Sequence, residues 1–292
     1  MSETKYFPTV EAIEKAAHVL DEILEPTPFQ RNANLSDIYE AEVYLKREDL
    51  QMVRSYKIRG AYNKIRTIDP ALVKNGIVCA SAGNHAQGVA FSCSKLKIMG
   101  SIFMPVTTPR QKIEQVRMFG KEFIEIILTG DTFDAANSAA IAFAEQNEKT
   151  FIPPFDDPKV MEGQGTIGRE ILSQSKEPLD YIFVPIGGGG LASGLGSYIK
   201  QMSPSTKIIG VEPAGAPCMK VAVEKGEVVE LEHIDKFIDG AAVKKAGQKT
   251  YEICKEVLDD IITVPEGAVC TTIIQLYNKS AIVVEPAGAL SI

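Results

Sequence analysis

The strongest constraint on the fold is a long alternation of short apolar runs with amphipathic helical stretches. Val10, Ile13, Ala17, Leu20 and Leu24 recur at helical spacing and stop before Pro26. Residues 43–45 read as a strand. Residues 77–80 read as another, followed by a helix through Leu96, and 101–104 as the next, with a helix after Pro109. A strand at 123–128 precedes an Ala-rich helix from Thr132 to about Gln146. Two more strands, 181–186 and 207–211, flank a helix from Leu191 to Met202. A helix near 249–258, a strand at 261–264 and a helix from about 268 to 279 follow. Alternation of this kind builds parallel sheets, whose strands are buried on both faces under the connecting helices. The expected fold class is therefore α/β. No repeat or low-complexity linker interrupts the pattern, and the Pro153-Pro154 break is the expected boundary between two lobes.

The 292 residues are 45% hydrophobic and 24% charged, enough for a large core. A net charge of -7 without a basic patch argues against nucleic acid or a membrane surface as partner. No run is long and apolar enough to span a bilayer. Residues 1–14 mix Glu and Lys without an apolar core, so no signal peptide is expected. Cys79, Cys93, Cys218, Cys254 and Cys270 are scattered and form no Cys-x-x-Cys. The expectation is reduced, mostly buried thiols in a cytoplasmic protein, with neither disulfides nor a metal site.

The stretch Ser55-Tyr56-Lys57-Ile58-Arg59-Gly60-Ala61 opens a helical run through Ile65 and Ile68, with Ser55 as the expected N-cap. Lys57 would then sit in the first helical turn, where partial positive charge disfavours an ammonium. A neutral amine is what Schiff-base chemistry needs. On this stretch alone a surface lysine, one of 31 Lys+Arg, is the simpler reading.

Two loops point at anions. Ser81, Ala82, Gly83, Asn84 and His85 follow the strand 77–80 and lead into a helix, whose free N–H groups favour a carboxylate or phosphate. Gly83 allows close backbone approach, and Asn84 and His85 add directional donors or acceptors. Simple helix capping, with His85 a satisfied polar residue, accounts for this loop about as well. Gly187, Gly188, Gly189, Gly190 and Leu191 join the strand 181–186 to the next helix. Four glycines cost conformational entropy, so an ordered loop of this kind points to a nest of bare N–H groups for phosphate. The same loop satisfies, at Gly187, Gly189 and Ala192, the fingerprint of dinucleotide binding, with Glu212 near the position of a ribose-holding acid. A nucleotide-binding oxidoreductase stays open from this segment alone.

Taken together, the lysine segment and the two loops resemble the serine/threonine dehydratase family of fold-type II pyridoxal-phosphate (PLP) enzymes. Lys46-Arg47-Glu48-Asp49, Asp239-Gly240-Ala241-Ala242-Val243 and Val284-Glu285-Pro286-Ala287-Gly288-Ala289 add matches in the family's order, over nearly the whole chain. The resemblance implies a two-lobe, tryptophan synthase β-like fold. Residues 1–52 with 150–292 would form the large PLP-binding lobe and 53–149 the small lobe. It implies that Lys57 carries pyridoxal 5'-phosphate and serves as the catalytic base. Tyr56 would lie against the ring, Asn84 would bond its hydroxyl, and Gly187, Gly188, Gly189, Gly190 and Leu191 would hold the phosphate. Gly240 and Glu285 would complete the cofactor site, and Ser81, Ala82, Gly83, Asn84 and His85 would hold the substrate carboxylate. The implied reaction is α,β-elimination from L-threonine, and from L-serine, to 2-oxobutanoate or pyruvate and ammonia, as in the first step of isoleucine biosynthesis. A cytoplasmic homo-oligomer, dimer or tetramer, is implied as well.

Racemases of this family carry a serine where this chain has Ala82, which favours one-base elimination here; a serine racemase-like enzyme is the alternative. They also use a Glu and a downstream Asp as a cation site. Glu212 is present, but Cys218 stands at the Asp position, so no divalent-ion site is expected. The chain stops at Ile292, three residues into the apparent helix after Pro286-Ala287-Gly288-Ala289. Helices average about 11 residues. The resemblance therefore implies a large lobe truncated before the strand and loop that face the pyridine nitrogen, and a C-terminal regulatory domain absent from this chain.

Overall fold

The computed structural model describes residues 6–292. Residues 1–5, the start of both the signal-peptide reading and the 1–52 segment, lie outside the described residues. Helix α1 (Val10–Leu20) begins where the Thr9 hydroxyl accepts from the Ala12 N–H, and it buries Ile13, Ala16, Ala17 and Leu20. Next come β1 (Phe29–Arg31), α2 (Ala33–Tyr39) and β2 (Tyr44–Lys46), the two strands pairing antiparallel. The chain continues through α3 (Lys57–Thr67), β3 (Ile77–Ala80), α4 (Asn84–Leu96), β4 (Gly100–Met104) and α5 (Arg110–Gly120). It then forms β5 (Ile124–Leu128), α6 (Phe133–Gln146), β6 (Thr150–Phe151), α7 (Pro158–Gln174), β7 (Tyr181–Pro185) and α8 (Gly190–Met202). The last elements are β8 (Lys207–Pro213), α9 (Cys218–Lys225), α10 (Gln248–Val257), β9 (Asp260–Val264), α11 (Glu266–Ser280) and α12 (Pro286–Ala289).

Two parallel sheets result, as the strand–helix alternation predicts. One has the order β5-β4-β3-β6, the other β7-β8-β9. Ile77 stands opposite Gly100, and Tyr181 opposite Lys207. Every residue of β3 and β4 is buried, as strands covered on both faces must be. Strand β6, which pairs Thr150 with Ile77, comes from the segment 150–292 and completes the sheet formed by 77–128.

Helix α7 is an element that periodicity does not identify. It carries Gly163, Gly165 and Gly168, and each glycine costs about 1 kcal/mol against alanine inside a helix. Packing explains them. A Cβ on Gly163 would lie 2.7 Å from the Arg59 carbonyl oxygen, and one on Gly194 would run into the Met161 carbonyl. Helix α7 therefore lies backbone to backbone against α3 and α8, and the start of α3 is clamped in place.

Arg59 completes the clamp. It is 1% exposed, and all five of its N–H donors are used: Nε and Nη2 on the two Glu48 oxygens, Nη1 on Thr166 and Glu170, and Nη2 also on Glu170. Lys46 adds a second cation on Glu170 at 2.5 Å, so the buried charges balance. Helix α3 begins at Lys57, not at Ser55. Tyr56 occupies the cap position with helical dihedrals, and the Ser55 hydroxyl is buried without a hydrogen-bond partner among the described residues. The capping role expected of Ser55 is thus corrected.

Candidate active site

Lys57 opens α3. Its Nζ donates to the Pro154 carbonyl at 2.9 Å and lies 5.5 Å from the centre of the Tyr56 ring. Desolvation lowers its amine from the ordinary 10.5 to about 8, with the Glu285 charge opposing the shift. With no carboxylate bonded to it and a pKa near 8, this lysine keeps a minor neutral fraction at physiological pH, far larger than that of an ordinary lysine.

The glycine loop leaves the end of β7 and enters α8. Side chains are excluded along it. A Cβ on Gly187 would lie 3.0 Å from the Ala241 Cα, and one on Gly188 would run into the Phe155 ring. Gly189 has φ +91, and its Cβ would meet Met219 at 2.6 Å; on Gly190 it would lie 2.9 Å from the Phe155 Cβ. The loop carbonyls are held from behind. Cys218 Sγ donates to Gly187 O, Thr250 Oγ1 to Gly188 O at 2.6 Å, and Cys254 Sγ to Gly189 O. In a trans peptide the next N–H points opposite to its carbonyl. The N–H groups of Gly188, Gly189 and Gly190 therefore each point away from the preceding carbonyl and its donor, beside the start of α8. A run of backbone N–H groups at a helix start is the arrangement that suits an anion nest.

The loop 81–85 ends β3 and starts α4. Ser81 Oγ accepts from the Gly83 N–H at 3.1 Å, and a Cβ on Gly83 would meet nothing within 4 Å. Asn84 Nδ2 donates to Glu285 Oε1 at 2.6 Å. Gly240 is tied to the same place, since a Cβ there would lie 2.7 Å from the Ala287 Cβ. Tyr56, Lys57, Asn84, Gly240 and Glu285 thus form one cluster.

Two expectations change. The His85 ring is committed elsewhere: its Nε2 lies 3.0 Å from the Ile152 carbonyl, and the residue is buried. Desolvation, with the nearby Lys57 charge, pushes its pKa down to about 3, so the ring is neutral, with Nε2 occupied by the Ile152 carbonyl. Glu212 does not reach toward a ribose. Its two oxygens accept the Met219 and Lys220 N–H groups at 2.8 Å each, at the start of α9. Burial pushes its carboxyl up to about 7, while those two bonds pull it down. Sequence reasoning also missed Phe155, Thr250 and the back-side thiols of Cys218 and Cys254. Only the neighbouring proline pair marked Phe155, and nothing local marked the rest.

A lysine amine of lowered pKa near a tight anion nest fits an aldehyde-bearing phosphate cofactor. The family model for "Pyridoxal-phosphate dependent enzyme" matches residues 20–292. The chain belongs to this family, and its cofactor is pyridoxal phosphate. Its relatives include the biosynthetic L-threonine dehydratase IlvA of Halalkalibacterium halodurans, 57% identical over 97% of this chain and 68% of that protein. The Bacillus subtilis protein of the same name is 56% identical over 97% and 67%. This chain thus spans about two thirds of their length. Among solved structures, the processed form of threonine deaminase isoform 2 from Solanum lycopersicum superposes with a TM-score of 0.91 at 37% identity, covering 99% of this chain and 85% of that one. Maize serine racemase gives 0.92 at 29% identity, over 98% and 85%. No helix of the described residues is long and apolar enough to cross a membrane.

Proposed function

We propose that this chain catalyses the α,β-elimination of L-threonine, and of L-serine, releasing 2-oxobutanoate or pyruvate with ammonia, as the entry step to isoleucine. The observation that carries this reading is the pairing of Lys57, an amine lowered to about 8, with the anion nest at Gly188, Gly189 and Gly190. Relatives above 50% identity named threonine dehydratase support it. When bound, pyridoxal phosphate supplies a carbonyl for the amino nitrogen and a ring that draws electrons from Cα. The chain does the rest. The nest and Leu191 hold the phosphate at the start of α8. Tyr56 would line the ring, and Asn84, steadied by Glu285 beside Gly240, would bond its hydroxyl.

The backbone of Ser81, Ala82, Gly83, Asn84 and His85, at the start of α4, holds the substrate carboxylate. That clamp sets the Cα–H bond toward Lys57, whose neutral amine takes the proton. Ala82 offers no exchangeable proton, so no second acid is available at that position to return one. In this reading the site lies between two lobes, residues 53–151 on one side and 6–52 with 152–292 on the other; the expected bound at 150 shifts, because β6 (Thr150–Phe151) pairs with β3 in the sheet of the smaller lobe. A cytoplasmic homo-oligomer belongs to the same reading, and light scattering checks the assembly. The deciding assay is keto-acid release from L-threonine by the PLP-supplied protein. A protein that forms no keto acid and takes up no cofactor overturns the proposal.

A further inference from the structure

The segment between β6 and α7, residues 153–157, is more than a boundary. Each end of it touches the site. The Pro154 carbonyl accepts from Lys57 Nζ at 2.9 Å. Asp156 Oδ1 accepts the Thr250 N–H at 3.0 Å, and Thr250 in turn fastens the Gly188 carbonyl. Between them, the Phe155 ring lies against Gly188, and its Cβ against Gly190. The residue is only partly buried, so the ring is not consumed by the core. The segment therefore links the amine of Lys57, through Pro154, to the glycine loop, and its one large apolar side chain stands against that loop.

Tetrahedral carbon limits what can lie there. On the elimination reading above, on which this inference rests, the Cα proton faces Lys57 and the carboxylate faces the start of α4. The amino nitrogen takes a third direction. The β-carbon is then left on the side of the glycine nest. We propose that Phe155 is a specificity-determining residue, its ring being the apolar wall against which the β-methyl of threonine packs. Serine, which lacks that methyl, leaves the wall uncovered. A methyl group in an apolar pocket is worth roughly tenfold or more in discrimination.

Two unreactive amino acids test this without turnover. L-2-Aminobutanoate carries the methyl, L-alanine does not, and neither has a leaving group. Binding of each to the PLP-loaded protein is read from the change in the visible cofactor band. In Phe155→Ala the affinity for L-2-aminobutanoate should fall at least about fivefold, and that for L-alanine should change less than about twofold. Phe155→Leu should shift the ratio in the same direction by roughly two- to threefold, so a variant that folds is at hand if the alanine change is too severe. An unchanged ratio in whichever variant folds overturns the proposal, as does an equal loss for both ligands. A wild-type protein that binds both analogues equally also overturns it; keto-acid release from threonine would then still uphold the elimination reading. No spectral change with either analogue and no keto acid would end both.

Discussion

Asn84 and Glu285 meet across the cleft, the amide Nδ2 donating to the carboxylate Oε1 at 2.6 Å. They stand 201 positions apart, one in the first turn of α4 and the other just before α12. An acceptor at Glu285 decides which way the amide faces, with its NH2 on the Glu285 side. Burial pushes the Glu285 carboxyl up, and the Asn84 bond opposes that shift.

If Glu285 orients Asn84 for the cofactor, Glu285→Ala should weaken PLP binding by about three- to tenfold, the usual net worth of one hydrogen bond. Glu285→Gln keeps an acceptor oxygen and should lose less. An equilibrium titration of cofactor-free protein, followed by visible absorbance, separates the two variants. Equal behaviour of both would remove the orienting role.

Lys57 should show its lowered pKa directly. In cofactor-free protein its amine is charged below about pH 8 and neutral above, against 10.5 for an ordinary lysine. Competitive acetylation across pH, read by peptide mass spectrometry, should therefore label Lys57 with a midpoint near 8, well below the exposed lysines. Lys57→Ala should abolish the visible band of the PLP-loaded protein.

His85 should make the fold acid-sensitive. Its pKa is lowered from 6.5 to about 3 by burial, so the native ring stays neutral where the unfolded ring takes a proton. Stability from this group is whole above pH 6.5 and declines as pH falls toward 3. At pH 5 the loss should be about 2 kcal/mol relative to pH 7. His85→Asn should have a flatter acid profile in urea unfolding between these two pH values. A slope equal to that of the unsubstituted chain would contradict the assignment.

Arg59 holds two buried carboxylates, and removing it strands both. Arg59→Met should lower stability by about 3–5 kcal/mol, the usual effect of breaking a buried pair from one side. Arg59→Lys restores the charge but offers three donors in place of a five-donor fork, so it should recover only part. Chemical denaturation of both variants measures the difference.

Much of this architecture can be read along the chain. Strand β3 is a run of apolar residues with a helix after it, and it stands where its periodicity says, because local burial patterns report local elements. The glycine loop was legible too, since four bare residues between a strand and a helix have few other uses. Helix α7 was not. Its three glycines lower local helix propensity, and only the close approach of α3 and α8 makes up for them. Glu212 misled for a related reason. Its spacing after the glycine loop suits a ribose acid, but the N–H groups of α9 claim both its oxygens.

Local pattern along the chain is enough to give the parallel α/β plan and to single out Lys57, the loop at Asn84 and the tetraglycine turn. How those segments are held comes from packing between distant parts of the chain. The carbonyls of Gly187, Gly188 and Gly189 are held by Cys218, Thr250 and Cys254, 31 to 65 positions away. Lys57 is held by the Pro154 carbonyl, 97 positions away, and the His85 ring is drawn off to Ile152, 67 positions away. Periodicity follows contacts within one helix or strand. Hydrogen-bond partners for buried carbonyls, amines and rings come from wherever packing brings them, and no local pattern records that choice.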